Sequence, residues 1–259
     1  MNLNGLFEVR GKTALVTGAS GGIGLTIATG LAEAGCRVLI CSRKIDEITA
    51  VAEKLSVHGT VIPFAADLST PEGIATAGDI VGSDQPLHVL VNNAGATFAA
   101  PIDEFPRSAF EDILNLNLIA PFELIKTLLP SLRLAATRED PGRIINISSA
   151  GALLVPDWDG FSYTASKAGL IHLSRHLGKA LAKDQITVNT IAPGHFPSKM
   201  TSSLINDDGS PKGDDYTFFG GRVGTPEDMV GAIVYLSSRA GAWLTGLTIP
   251  IAGGLSTIS

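Results

Sequence analysis

Short apolar runs alternate with amphipathic stretches from one end of the chain to the other. The runs are TALVT (13–17), RVLIC (37–41), TVIPF (60–64), HVLVN (88–92), RIINI (143–147), ITVNTI (186–191) and LTIPI (247–251). They are rich in Val, Ile and Leu on both alternate faces, the pattern of parallel strands covered by helices on two sides. Between them a helical period predicts helices over 22–34, 45–55, 107–134, 161–182 and 226–237. The last opens with Thr225 as N-cap, Pro226 at the first helical position, and Glu227 and Asp228 at the positive end of the dipole. Alternation of this kind predicts an α/β protein built on a doubly wound parallel sheet with helices on both faces. No repeat, low-complexity tract or linker breaks it, so residues 1–259 read as a single domain.

Two stretches depart from the rhythm, 150–160 (AGALLVPDWDG) and 195–224, which mix Pro, Gly and Asp with Trp158, Phe218 and Phe219. Both follow strand C-termini, where open α/β sheets bind ligands, and 195–224 is the expected substrate-binding loop. Composition narrows the partners. With 45% hydrophobic residues the chain can bury a large core, while a net charge of −6 and the lack of any Lys/Arg run argue against nucleic acid. An anionic cofactor can still be held by local cations and backbone amides. The opening MNLNGLFEVRGK is too polar for a signal peptide, and no apolar stretch reads as long enough to span a bilayer, so no membrane is expected. Cys36 and Cys41, on or beside one strand, have an odd separation that points them to opposite faces. Two free thiols suit a reducing cytoplasm.

After the first strand comes TGASGGIG, which sets Gly18, Gly22 and Gly24 between a strand and a helix N-terminus. Glycines there permit positive φ and let the backbone approach a pyrophosphate, which the helix amides then stabilise. The same letters match G-x-S-x-G, a nucleophile elbow, with Ser20 as nucleophile and His195 or His176 as conceivable bases. That elbow normally follows several strands rather than the first, so a serine hydrolase stands as the rival reading. Further on, YTASK places Tyr163 and Lys167 at i and i+4, on one helix face. A phenol titrates at about 10 in water, too high for base work at neutral pH, and a nearby ammonium favours the phenolate. Ser149 ends the preceding strand, where its hydroxyl could bind the same substrate oxygen.

With these residues the chain resembles the short-chain dehydrogenases/reductases over nearly its whole length. The resemblance rests on TGASGGIG, Asp67 after the third strand, NNAG (92–95) after the fourth, Asn117, ISS ending at Ser149, YTASK, and APG (192–194). It implies a Rossmann-type domain in which Tyr163 passes the proton, Ser149 polarises a carbonyl, and Lys167 holds the nicotinamide ribose and lowers the tyrosine pKa. Asn117 would keep a water that links the lysine to solvent. Asp67 and Leu68 would lie at the adenine, with Asn93, Ala94 and Gly95 bordering the adenosine half. Ser20 and Ile23 beside the loop glycines, and Pro193, Gly194 and Ser198, complete the implied dinucleotide site. Ser148 is the alternative working serine, although the family register favours Ser149. Asn92 reads as structural, tying strand ends through backbone hydrogen bonds. His172 and His176 lie one turn apart and could grip a metal. They lack a third ligand or a carboxylate motif, so they read as a solvated or interface helix face and no metal is expected.

The second strand ends Cys41-Ser42-Arg43-Lys44, without the acid that an NAD site carries for the ribose 2′-hydroxyl. Ser42 and Arg43 suit a 2′-phosphate instead, so NADP(H) is the expected cofactor, although Gly21 stands where many NADP-using relatives have a basic residue. AGG (252–254) replaces an acid found in many relatives, in a region that often packs on a neighbouring subunit; a homo-oligomer, tetramer or dimer, is expected. Candidate substrate-pocket walls are Ala150, Val155, Trp158, Phe161, His195, Phe196 and Met200, mostly apolar. IAPGHFPSKMT is similar to the same loop in ketoacyl reductases of the rhamnolipid type, which implies a 3-oxoacyl thioester or a related ketone. Lipid-like, aromatic and polyol substrates are all compatible with such a pocket. Three functions stand at this point: an NADP-dependent carbonyl reductase, the serine hydrolase, and a non-catalytic dinucleotide-binding protein. The last has no need of Asn117, Ser149, Tyr163 and Lys167 together.

Overall fold

All seven apolar runs are strands in the computed structural model, which describes residues 3–198, 201–203, 205, 206, 210, 212 and 221–255. They are β1 (Thr13–Thr17), β2 (Arg37–Ser42), β3 (Val61–Ala65), β4 (Val89–Asn92), β5 (Gly142–Ile147), β6 (Ile186–Pro193) and β7 (Thr248–Ile251). Every pairing is parallel, in the order β3-β2-β1-β4-β5-β6-β7. The chain winds outward from β1 to β3, then crosses back and winds the other way from β4. The loops after β1 and β4 therefore leave in opposite directions and open a crevice at the C-terminal rim.

The helices are a short α1 (Leu3–Leu6), α2 (Gly22–Glu33), α3 (Ile45–Leu55), α4 (Pro71–Val81), α5 (Arg107–Leu114), α6 (Ala120–Ala135), α7 (Phe161–Leu181) and α8 (Pro226–Ser237). Strand side chains alternate between two cores. Ala14, Val16, Val38 and Ile40 pack under α2, α3 and α8 through Ile27, Leu31, Ile48 and Met229. Leu15, Leu39, Leu90 and Ile144 pack under α4, α6 and α7 through Ile74, Leu124, Leu128 and Leu181. Cys36, just before β2, belongs to the first core and Cys41 to the second, both as free thiols. Burial pushes their thiols up to about 11 and about 12, so both are inert near neutral pH. At α8 the expected start is present as a capping box between Thr225 and Asp228.

Three features differ from the sequence expectations. Helix α4 adds to the helices named from the sequence; PEGIATAGDIV carries two glycines, which lower its helical propensity. Its Thr70 cap accepts from Gly73 N at 3.0 Å, and Gly78 lets it approach Thr127 of α6. The run expected at 107–134 is helical throughout, but α5 and α6 are joined by a π turn, Asn115–Ile119. That whole run, Arg107–Ala135, is 29 residues long and apolar enough by length and composition to cross a bilayer, contrary to the expectation of no such stretch. Its apolarity is a core stripe: Leu124, Ile125, Leu128 and Leu132 are buried against the sheet.

The N-terminal rim of the sheet holds a cationic cluster. Arg143, opening β5, is 1% exposed; its Nε donates to Leu236 O (3.0 Å) and its Nη2 to Ser238 O (2.8 Å) and Asp140 (3.0 Å). Lys12 donates to Asp140 (2.7 Å) and to Ser237 O (3.0 Å). Two cations thus satisfy the orphan carbonyls at the end of α8, where the helix dipole favours positive charge.

Candidate active site

Thr17, the last residue of β1, is the pin of the crevice. Its Oγ1 donates to Val91 O (3.3 Å) and accepts from the backbone of Asn93 (2.9 Å) and Ala94 (3.0 Å). Asn93 returns the tie, its Nδ2 donating to Thr17 O (2.8 Å) and Gly18 O (3.1 Å). Thr17 was missed in the sequence reading; a hydroxyl directly before the first loop glycine was the available signal. Asn92, expected to tie strand ends through the backbone, instead donates its Nδ2 to the side chain of Asn146 (2.7 Å), which donates in turn to Ser174 (2.8 Å). The two side chains face each other across paired β4 and β5, so each offers the other the nearest partner.

Around this pin lies a cleft of about 510 Å³. Gly18 and Gly22 take φ of 65° and 54°, a region costly to residues with a Cβ, and a Cβ on Gly18 would come within 2.8 Å of Ala94 Cα. The loop Gly18, Ser20, Gly22, Ile23 and Gly24 forms one wall and the end of β2, Ser42 and Arg43, another. Asp67, Leu68, Asn93, Ala94 and Gly95 line the far side, and Ser198, Tyr163 and Lys167 the near one. Fifteen expected cofactor residues thus meet in one cavity. Pro193 and Gly194 do not line it: Gly194 packs on Ala252, whose Cα would lie 2.8 Å from an added Cβ. The cradle suits a dinucleotide. Helix α2 aims its first amides at the loop, and Arg43 is exposed and makes no hydrogen bond or ion pair among the described residues. At Gly21 an added Cβ would meet nothing within 4 Å, so its lack of a side chain is not a packing requirement. Lys44, next to Arg43, is held by Glu47 at 2.7 Å.

The polar residues at the other end assemble as follows. Ser149 caps the turn Ala150–Ala152, accepting from Gly151 N (3.1 Å), and its hydroxyl lies near enough the Tyr163 phenol to favour the ionised form. Ser148 lines the cleft, but its Oγ is engaged, donating to Lys167 O at 2.8 Å. The geometry thus separates the two serines. Lys167 is buried one turn beyond Tyr163, with Nζ 5.8 Å from the ring centroid and donating to Ile147 O at 2.9 Å. Asn117 sits inside the π turn, fully buried, accepting from Ala96 N (2.9 Å) and donating to Ala96 O (2.9 Å) and Ser166 Oγ (3.0 Å). Its Oδ1 and Lys167 Nζ would lie 3.1 and 3.3 Å from a Cβ on Gly95, so all three meet at one spot.

The electrostatics correct one expectation. The tyrosine pKa is not drawn down in the ligand-free chain. Burial pushes the phenol up, and the nearby Ser149 hydroxyl only partly offsets this. Burial also pushes Lys167 down to about 8, because no carboxylate stands by to hold its charge.

The candidate substrate walls divide. Trp158 lies beside Tyr163, ring centroids 5.7 Å apart, and Phe161 packs on Phe105 at 5.7 Å. Ala150 is buried in the turn after Ser149, Val155 is 95% exposed, and burial pushes the half-buried His195 down. Phe196 is 5% exposed and packs into the core against Gly224, rather than standing open on the cleft side. Met200, Phe218 and Phe219 lie outside the described residues. Ser20 is exposed with no hydrogen-bonded base among the described residues, and His172 and His176 are exposed on α7.

A glycine cradle at the switch point beside a paired phenol and hydroxyl defines an α/β oxidoreductase. A model of the short chain dehydrogenase family matches residues 12–209. Over 249 residues the chain is 42% identical to the rhamnolipids biosynthesis 3-oxoacyl-[acyl-carrier-protein] reductase of Pseudomonas aeruginosa, covering 96% of this chain and 97% of that protein. It is 32% identical over 267 residues to gluconate 5-dehydrogenase of Gluconobacter oxydans, with 97% of each covered. The solved RhlG/NADP active-site complex of Pseudomonas aeruginosa matches with a TM-score of 0.91 at 40% identity, over 99% of this chain and 100% of that one. The chain belongs to the short-chain dehydrogenase family. The relatives are named as reductases and dehydrogenases, which removes the serine hydrolase and the non-catalytic reading.

Proposed function

We propose that this chain is an NADP(H)-dependent reductase that interconverts a ketone and a secondary alcohol, with a 3-oxoacyl thioester as its substrate class. The observation that carries this is the Tyr163 phenol in the wall of the cleft, with Lys167 one turn beyond it and the Ser149 hydroxyl near enough to shift its titration. Two donors that converge on one point are what a carbonyl oxygen gaining negative charge requires. The nicotinamide, when bound, supplies the hydride. Tyr163 gives its phenolic proton to the substrate oxygen, Ser149 donates a hydrogen bond to that oxygen, and a charged Lys167 favours the resulting phenolate. Asn117 holds the Gly95–Ala96 backbone against the π turn and keeps Lys167 in contact with solvent protons through water. Amides of the Gly18–Gly24 loop take the pyrophosphate, Ser42 and Arg43 the 2′-phosphate, Asp67, Leu68 and Asn93 to Gly95 the adenosine half, Lys167 the ribose, and Ser198 the carboxamide. The thioester class is supported by the 42% identical relative. Residues 195–224 are read as the substrate loop from their place after β6 and from Ser198 in the cleft. A homo-oligomer, tetramer or dimer, is read from the edge strand β7 with Trp243 nearby, 97% exposed. A cytoplasmic location is read from the two free thiols.

Purified protein is expected to consume NADPH with 3-oxoacyl thioesters and to bind NADPH more tightly than NADH. Arg43→Ala should weaken NADPH by about 10- to 100-fold, the value of a charge-assisted hydrogen bond, and leave NADH binding as it was. A preference for NADH would overturn the cofactor assignment, and a panel of ketones and alcohols without turnover would overturn the reaction.

Lys167 adds a pH dependence. Its folded pKa of about 8 lies below the ordinary 10.5, so the free enzyme sheds the proton first. Ribose hydroxyls favour the ammonium and raise that pKa, so binding takes up a proton above pH 8. NADPH affinity should therefore fall as pH rises from about 8 towards 10.5. Titrations across that range check it, and Lys167→Met should flatten the profile.

A further inference from the structure

We propose that Trp158 is the residue that selects the substrate, by seating an uncharged apolar chain beside the reacting carbonyl. The inference rests on the reductase reading above and adds to it a rule for which carbonyl compounds are taken. Trp158 is 41% exposed, and its indole is tilted by 49° to the Tyr163 ring at a centroid distance of 5.7 Å. Its position is built. The Trp158 amide donates to Pro156 O (2.9 Å), Gly160 N donates to Trp158 O (2.8 Å), and the indole lies over Gly160, where a Cβ would collide with its six-membered ring. Two further aromatic faces stand near the same edge. Phe98 and Phe161, 36% and 38% exposed, both pack on Phe105, at 5.3 and 5.7 Å. A backbone hydrogen bond from Ala100 N to Asp159 O (3.4 Å) joins the two loops that carry them. The surface beside the phenol is thus aromatic, partly open and held from both sides.

Charge decides what such a surface accepts. Segments 93–106 and 148–166, which carry these rings, contain no Lys or Arg; their charges are Asp103, Glu104, Asp157 and Asp159, and the cation beside the phenol is Lys167 on the next turn of α7. A substrate carboxylate lying along these two segments would gain no ion pair from them. A sugar acid, the substrate class in the name of the gluconate 5-dehydrogenase relative, is therefore disfavoured. An alkyl chain loses nothing to the acids and gains the aromatic faces.

The test is a homologous series of 3-oxoacyl thioesters of increasing length, with 5-ketogluconate as the charged polyol, assayed by NADPH oxidation. In the wild-type enzyme kcat/KM is expected to rise by about fourfold for each methylene that reaches the platform, the value of burying one CH2. Trp158→Ala should flatten that slope, with the loss entering through KM, and Trp158→Phe should restore part of it. Gly160→Ala, which displaces the indole from its seat, should flatten it as well and serves if Trp158→Ala does not fold. An unchanged slope in these variants overturns the role of Trp158. Turnover of 5-ketogluconate equal to that of the long thioesters overturns the apolar selection while leaving the hydride-transfer reading in place. Failure of every ketone in the panel points instead to the reductase reading itself.

Discussion

Tyr163→Phe is expected to lower kcat by roughly 10²–10⁴, the usual worth of a positioned general acid, while NADPH still binds. The substitution deletes one oxygen and keeps the ring, so the contact with Trp158 and the packing of α7 persist. What disappears is the phenolic oxygen that lies beside Ser149 and Lys167. Ser149 then remains as a single donor to the substrate oxygen, with no acid to complete the alcohol. Because burial holds the phenol proton on in the free chain, the wild-type enzyme starts reduction already loaded. Reduction should therefore stay flat through neutral pH and weaken as the phenol ionises on the alkaline side. Steady-state kinetics beside an NADPH titration check this, and undiminished kcat in Tyr163→Phe would rule out the proposed proton path.

The second large effect concerns stability. Arg143→Met should destabilise the fold by roughly 3–5 kcal/mol, because two buried carbonyls lose their donor at about 1–3 kcal/mol each. At this chain length that corresponds to a fall in Tm of about 10 °C. The methionine fills part of the space but donates nothing, so the carbonyls of Leu236 and Ser238 lose the guanidinium that ends α8. Arg143→Lys should recover only part of the loss, because one ammonium cannot reproduce the planar fork. Thermal melts decide the matter, and a change below about 1 kcal/mol would show that the cluster is dispensable. The cluster lies at the N-terminal rim and the cleft at the C-terminal one, about 15–20 Å away along strands of this length. Folded Arg143→Met enzyme should therefore keep its kcat.

Much of this architecture was readable before any coordinates. Parallel strands buried on both faces announce themselves as Val- and Ile-rich runs, and the seven runs became the seven strands within a residue or so at each end. The dinucleotide cavity was equally legible, because glycines, a hydroxyl and a cation at strand ends act locally. What escaped was collective. Helix α4 takes its stability from a close approach to α6 at Gly78, which its own residues do not advertise. The Arg143, Lys12 and Asp140 cluster joins positions 128 residues apart between Lys12 and Asp140. The tyrosine pKa follows the burial of its surroundings more than its i+4 partner, so helical spacing alone pointed the wrong way. Phe196 reads as a pocket wall by proximity to the loop, yet packs inward because Gly224 leaves room for its ring.

The π turn Asn115–Ile119 has a consequence for how this stretch of chain can vary. It accommodates one residue more than a regular α-helix would hold there. Removing one residue within Asn115–Ile119 would relax the turn to ordinary spacing and leave α5 and α6 close to their present register, so Leu124 and Leu128 would stay on the sheet. What that deletion would lose is the wide turn from which Asn117 holds Ala96. A residue removed from the regular part of either helix would instead turn its two ends against each other by about 100°.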